Sequence, residues 1–152
     1  MTETAHAIEE LEPDEIADDL DAQLVGRIGC HADGATYVVP VIYAFDGGSI
    51  YVASLEGRKL QMMRRNPSVC FEVDEYDGAG SWRSVVAQGV YEELSGAGAE
   101  RALAALADRF RRRDGDGAGG RRAQNRNGSA VCFRIRILEA TGRAVRRAPQ
   151  AS

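Results

Sequence analysis

The chain has 152 residues, of which 44% are hydrophobic and 28% charged, and its formal net charge is −4. These values are typical of one soluble domain, and the longest apolar run, ATYVVPVIYAF, is far shorter than the roughly 20 residues of a membrane-spanning helix. Residues 1–22 hold nine acidic and no basic side chains, so the other 130 residues hold 14 acidic and 19 basic ones, a balance that favours an anionic small molecule or a nucleic acid as partner.

The N-terminal residues predict an acidic arm followed by a helix. Residues 1–12 lack the cationic and apolar regions of a signal peptide, and we expect them to be a flexible arm. Pro13 suits a first helical position, and DEIADDLDAQL after it predicts a short helix. Three cysteines lie in apolar, strand-like runs and form an odd set, as reduced cysteines of a cytoplasmic protein do: Cys30, Cys70 and Cys132.

Strand patterns follow this helix. The stretch VGRIGCHA predicts a strand, ADGA a tight turn and TYVVPVIYAF one long strand. Asp46-Gly47-Gly48 then predicts a hairpin turn into SIYVAS. Pro40 cannot donate to a sheet ladder, so it predicts a strand edge, a bulge or an opening that faces a ligand.

The segment SLEGRKLQMMRRNP holds the chain's one lysine among 18 arginines. Gly57 precedes a predicted helix whose first turn carries Arg58 and Lys59, although a helix N-terminus disfavours cations. Amide groups at this turn, an arginine and a lysine together are suited to binding a phosphate, whereas the alternative is a solvent-facing basic turn. Arg64 and Arg65, at the other end of the helix, are predicted only to favour its dipole.

The rest of the chain completes a mainly β prediction. SVCFEVDEY, SWRSVVAQGVYEEL and SAVCFRIRILEATGRAV predict strands, and AGAERALAALADRF predicts a helix. Residues 111–129 are rich in arginine and glycine, which predicts a mobile loop, and residues 148–152 predict a flexible tail. We expect a six-stranded antiparallel split β-barrel with a few short helices over residues 13–147.

Several separated segments resemble one family. GRIG, YVVPVIYAFDGGSIYVAS, EGRKLQMMRRNPSVCFEVDE and WRSVVAQGVYEEL occur in the order and spacing of the FMN-binding split-barrel proteins. That family includes pyridoxamine 5′-phosphate oxidase and the nitroimidazole-resistance flavoproteins, and the resemblance is greatest to the latter. It implies a homodimer that binds two FMN molecules at its interface.

The resemblance also implies where the cofactor binds. Arg58 and Lys59 after Gly57 correspond to the basic pair that grips the phosphate, and Ala53 and Ser54 to the preceding strand end. The segment Pro40, Val41, Ile42 and Tyr43 corresponds to the backbone that faces the isoalloxazine ring. Arg83 and Ser84 correspond to a later strand that reaches the flavin.

The resemblance implies an FMN-dependent oxidoreductase that acts on a small electron donor or acceptor, with no catalytic residue assigned. The chain has Arg58 where nitroimidazole-resistance proteins carry histidine, and it lacks the extended C-terminal region of true pyridoxamine phosphate oxidases. F420 or haem in place of FMN, and a flavin carrier without turnover, remain alternatives.

Other readings have weaker support in the sequence. His31 near a turn is expected to be structural, and Cys30-His31 lacks the second cluster that a metal site needs. Trp82 either stacks on a flavin or fills the barrel. A nucleic-acid-binding barrel would use the arginines of residues 111–129 and the rings of Tyr37, Tyr43 or Tyr51, but the arginines lack interleaved aromatic residues.

Overall fold

The structure is a computed structural model, and it describes residues 7–114 and 130–146. Within these residues, eight strands and three helices follow one another: β1 (Ile8–Glu10), α1 (Pro13–Ala22), β2 (Val25–Ala32), β3 (Ala35–Ile42), β4 (Ala44–Asp46), β5 (Ser49–Ser54), α2 (Arg58–Arg65), β6 (Ser68–Tyr76), β7 (Trp82–Leu94), α3 (Gly96–Asp114) and β8 (Val131–Val145). The mainly β prediction is confirmed. No helix among the described residues is long and apolar enough to cross a membrane.

All strands belong to one antiparallel sheet in the order β3-β2-β6-β7-β8-β5-β4, and β1 pairs with the end of β8. The two predicted tight turns are confirmed: Asp33 and Gly34 have φ of 52° and 79°, and Gly47 and Gly48 have φ of 58° and 84°. Positive φ at both central residues matches the twist of paired strands, so these turns set the register of two hairpins.

The strand count differs from the predicted six because of two short strands. The predicted strand TYVVPVIYAF is divided at Tyr43 into β3 and β4. The Tyr43 ring is fully buried, lies edge-on to Phe71 with centroids 4.8 Å apart, and its hydroxyl donates to the Leu20 carbonyl. The chain therefore turns inward at Tyr43, which anchors α1 to the barrel core.

The other additional strand lies in the predicted flexible arm. Residues 8–10 pair with Val145, Ala144 and Arg143 of β8, and Arg146 contacts Glu9 at 3.4 Å. The prediction of a flexible arm over residues 1–12 is thus wrong for this part, because the end of β8 offers an edge to pair with. Residues 1–6 lie outside the described residues.

The predicted start of the arginine-rich loop, at residue 111, is too early in the chain. Residues 111–114 belong to α3, where Arg112 Nε contacts Asp108 at 3.2 Å and Arg112 Nη1 lies 3.6 Å from Asp21. Cations in the last turn of a helix favour its dipole, which accounts for the longer helix. The rest of the predicted loop, residues 115–129, and the predicted tail, residues 148–152, lie outside the described residues.

The barrel interior is filled by large apolar side chains from the sheet and from α2. Those that are fully buried include Phe71, Phe133, Ile28, Ile50, Leu60 and Met63. Leu60 and Met63 belong to α2, so the helix that carries the basic pair is fixed to the core by its apolar side.

Candidate functional site

Two of the incompletely paired strands in the described part of the chain, β3 and β5, have open edges. β3 pairs with β2 alone. β4 pairs only with Ser49–Tyr51 of β5, so the second half of β5 has a ladder partner on one side only, which is β8. A ligand between β3 and β5 would therefore lie against two strand edges that no other described strand covers.

A cavity of about 260 Å³ lies at this gap. Its walls come from β3, the second half of β5 and the first turn of α2: Pro40, Val41, Ile42, Val52, Ala53, Ser54 and Lys59. The structure thus brings together six of the residues predicted to bind the cofactor. Val52 was missed, because the sequence did not show which residues of β5 line the gap. We call this space the β3–β5 cavity.

Pro40 has the position expected of it. It lies on β3 at the outer edge of the sheet, where its missing N–H breaks no ladder. Tyr43 ends the same predicted segment, but its ring lies in the core and it does not border the cavity. The residues that precede it in β3 do.

The turn between β5 and α2 is open at Gly57. Ser54 is buried, and its hydroxyl donates to the Leu55 carbonyl at 2.9 Å. Gly57 has φ of 177°, an extended conformation that any residue adopts, so the backbone alone does not require glycine. A Cβ atom at Gly57 would have only the Leu55 carbonyl oxygen nearby, at 4.0 Å. This open space suits the close approach of a ligand to the turn.

Arg58 and Lys59 point to different places. Whereas Lys59 lines the β3–β5 cavity, the Arg58 guanidinium lies 4.9 Å from the centroid of the Tyr37 ring. Arg58 borders a second depression of about 220 Å³, together with Asp33 and Arg65. The predicted basic pair is therefore separated, and Lys59 is the member that borders the cavity.

Arg83 and Ser84 do not border the β3–β5 cavity of the same chain. Arg83 Nε donates to both carboxylate oxygens of Asp19, at 3.0 and 2.9 Å, and so fastens β7 to α1. Arg83 and Trp82 line a separate depression of about 220 Å³ beside Arg146. In one chain, Trp82 neither fills the barrel core nor reaches Lys59.

Arg64 does more than favour the helix dipole, which corrects the sequence-based expectation. Its guanidinium bonds the carboxylates of Glu56 and Glu93, and Arg65 pairs with Asp33. The chain separations are eight and 29 residues for Arg64, and such pairs have no periodic signal in a sequence.

A cluster of three charged side chains lies on the outer face of the sheet, next to Pro40 in the ladder. Arg27, whose ladder partner is Pro40, contacts Glu72 at 3.3 Å and Asp74 at 3.2 Å. The pKa of Glu72 is raised to about 7, chiefly by burial and further by a hydrogen bond and the charge of Asp74. The charge of Arg27 and its hydrogen bond oppose this shift. This carboxyl therefore exchanges a proton near neutral pH.

His31 and the cysteines show no catalytic arrangement. His31 Nδ1 lies 2.9 Å from Thr36 Oγ1 in an exposed pair, as expected of a structural histidine. The cysteines are free thiols, and burial raises the pKa of Cys30 and of Cys132. In residues 7–114 and 130–146, no group of three histidine, cysteine or acidic side chains could hold a metal ion.

The aromatic residues give little support to nucleic-acid binding. Tyr43 and Tyr51 are buried, and Tyr37 already lies beneath Arg58. Stacking on a base needs an exposed ring face, so two of the three tyrosines cannot stack on a nucleic acid. Arg121, Arg122 and Arg126 lie outside the described residues.

Comparison with known proteins identifies the family. The family model described as pyridoxamine 5′-phosphate oxidase matches residues 12–144, and the chain belongs to this family. The match includes all the strands of the β3–β5 cavity and α2.

Individual proteins are also similar to the chain. A solved FAD-binding protein of Mesorhizobium loti is 32% identical, with a TM-score of 0.78 over 93% of this chain and 98% of its own. A solved FAD-binding protein of Mycobacterium smegmatis is 22% identical and shares the fold, with a TM-score of 0.62 over 91% of this chain and 98% of its own. An uncharacterised protein of Rhizobium meliloti (strain 1021) is 39% identical over 70 residues, a match that spans 46% of each chain.

Proposed function

We propose that this chain is an FMN-binding flavoprotein that works as a homodimer and oxidises or reduces a small molecule. One observation carries the proposal: the β3–β5 cavity lies between the edges of two strands and has Lys59, at the start of a helix, on its third side. A flavin offers a matching set of groups, because its ring has donors and acceptors along one edge and its side chain ends in a phosphate.

The residues present fit such a ligand. Lys59 and the first amides of α2 would hold the phosphate, since a helix N-terminus and an ammonium group both favour an anion. The open space at Gly57 leaves room for it. The backbone of Pro40–Ile42 and of Ala53–Ser54 would orient the ring. When bound, the flavin supplies the redox chemistry, while the protein binds it, orients it and limits access of water.

A second copy of the chain completes the proposed site. The cavity of about 260 Å³ is smaller than the roughly 300–1,000 Å³ of usual ligand pockets, and it opens to solvent. Val38, on the same face of β3 as Pro40, is 63% exposed. A two-fold dimer is the commonest closed assembly and would cover both features. The three free thiols favour the cytoplasm as its location.

Titration with four cofactors tests this proposal. FMN is expected to lose fluorescence and shift its absorption on binding, and FAD, F420 and haem are the competing ligands. FAD is the second candidate, because the Mesorhizobium loti protein described as FAD-binding shares 32% identity over nearly its whole length. Tight binding of F420 or haem together with no response to FMN or FAD would refute flavin binding.

Two further measurements test assembly and turnover. Light scattering of the FMN-loaded protein at micromolar concentration is expected to give the mass of two chains, and a single-chain mass would refute the shared site. Catalytic amounts of the protein are then supplied with NADH or NADPH and a nitroaromatic acceptor. If bound FMN is never reduced and reoxidised under these conditions with any donor or acceptor tried, the chain is a flavin carrier and not an oxidoreductase.

A further inference from the structure

Arg64 links α2 to the turn that precedes it, through Glu56, and to β7, through Glu93. It lies in the last turn of α2, and its Nη1 and Nη2 donate to the two oxygens of Glu56 at 2.7 and 3.0 Å. Its Nε and Nη2 donate to the two oxygens of Glu93 on β7 at 2.7 and 3.3 Å. The Tyr91 hydroxyl also donates to Glu93 at 2.6 Å. The guanidinium is therefore shared by two carboxylates in fork-like geometry, which is the strong form of such contacts.

Of these two carboxylates, Glu56 is the one that lies next to the proposed phosphate site in the chain. It directly precedes Gly57 and lies three residues before Lys59. Hydrogen bonds from Arg64 lower the pKa of Glu56, and the Gly57 backbone amide contributes to the shift in the same direction. Glu56 is thus ionised at neutral pH and lies within reach of an amide that borders the proposed phosphate site.

We propose that Arg64 is a positioning residue for anion binding at the start of α2. It neutralises the charge of Glu56 and so lowers the repulsion that this carboxylate would exert on a flavin phosphate at the start of α2. Without Arg64, the uncompensated charge of Glu56 repels the phosphate. This inference rests on the proposed function, because the anion in question is the flavin phosphate.

A double-mutant cycle measures the effect. The Kd for FMN is determined for the parent, Arg64→Ala, Glu56→Gln and the double variant. Arg64→Ala is expected to raise Kd roughly two- to fivefold, the size of an exposed charge–charge interaction. Glu56→Gln in the Arg64→Ala background is expected to restore the parent Kd. Glu93→Gln is the matched control, because it removes the other carboxylate and leaves the Glu56–Arg64 pair in place.

Two readouts separate this role from loss of structure. The Arg64→Ala and double variants lose the same contacts to β7, so their melting temperatures should be similar while their Kd values differ. The rise in the Kd for FMN caused by Arg64→Ala should also largely disappear when salt is raised from about 0.05 M to about 1 M. The reason is that screening shortens the reach of exposed charges to about 3 Å.

Two results would overturn the inference while leaving flavin binding intact. One is a parent-like Kd for Arg64→Ala. The other is a double variant that binds FMN as weakly as Arg64→Ala at every salt concentration, which would assign Arg64 to structure alone. A parent protein that binds no flavin would overturn the proposed function, and this inference with it.

Discussion

The separation of Arg58 from Lys59 predicts unequal losses when each is replaced by alanine. Both side chains follow Gly57, but only Lys59 borders the β3–β5 cavity, and Arg58 is stacked on Tyr37. Under the proposed function, Lys59→Ala would remove a charge-assisted contact to the flavin phosphate, worth about 1.5–3 kcal/mol. At the middle of that range, Kd rises roughly fortyfold.

Arg58 would have to leave the Tyr37 ring before it reached the same phosphate. An exposed cation–π contact is worth about 0.5–1 kcal/mol, so the net contribution of Arg58 is about 1.5 kcal/mol at the middle of both ranges. Arg58→Ala is therefore expected to raise Kd roughly tenfold. Lys59→Arg should also lose affinity, because a planar guanidinium cannot replace a compact ammonium without rearrangement.

Quenching of FMN fluorescence on titration measures all three variants. Arg65→Ala is the matched control, since Arg65 lies on the same helix, is exposed and pairs with Asp33. If Arg58→Ala weakens binding as much as Lys59→Ala does, the two cations share the phosphate equally and the reasoning from their separate positions is wrong. If Lys59→Arg binds FMN as tightly as the parent, the single lysine has no special role.

Three further predictions concern stability. Gly26→Ala places a Cβ atom 2.1 Å from the fully buried ring of Phe71, so it should cost about 1–3 kcal/mol and lower the melting temperature by several degrees, whereas an unchanged melting temperature would show that the ring moves freely. Tyr43→Phe leaves the Leu20 carbonyl without its hydroxyl donor and should cost about 1–3 kcal/mol in urea unfolding, and a cost near zero would mean that the hydrogen bond is not formed. Because the folded pKa of Glu72 is raised to about 7, the protein should lose stability as pH rises from about 4.5 to 7, and Glu72→Gln should flatten that part of the pH profile; the same slope in both proteins would contradict the raised pKa.

The regular strands and tight turns were predictable because their signals are local. Alternating apolar residues and the pairs Asp33-Gly34 and Gly47-Gly48 fix strand positions within a few residues. The inward turn at Tyr43 was not predictable, because an apolar run has the same sequence pattern whether the strand continues or bends. The bend depends on Leu20, 23 residues earlier, which accepts the tyrosine hydroxyl.

The candidate site was predictable where it follows from a turn of the backbone. The sequence placed Lys59 at a strand-to-helix turn, and the structure adds that β3 lies across the gap from it. It could not show that Arg58 points to Tyr37, or that Arg64 bonds Glu93, because both contacts depend on how α2 packs on the barrel. Side-chain direction on a short helix is set by that packing and not by spacing alone.

The edge of β3 gives a reason for the site to bind a small ligand and not another strand. An unpaired edge is a template for pairing with a further chain, and proteins limit this with proline, charge or short strands. Pro40 removes one donor from the edge of β3, and the open part of β5 spans only Val52–Ser54. On this part of β5 a full strand would find too few partners, whereas a flat ring needs only a few. The strand edges and Lys59 beside them are thus two parts of one arrangement, in which, under the proposed function, the backbone would receive the ring and the single lysine the phosphate.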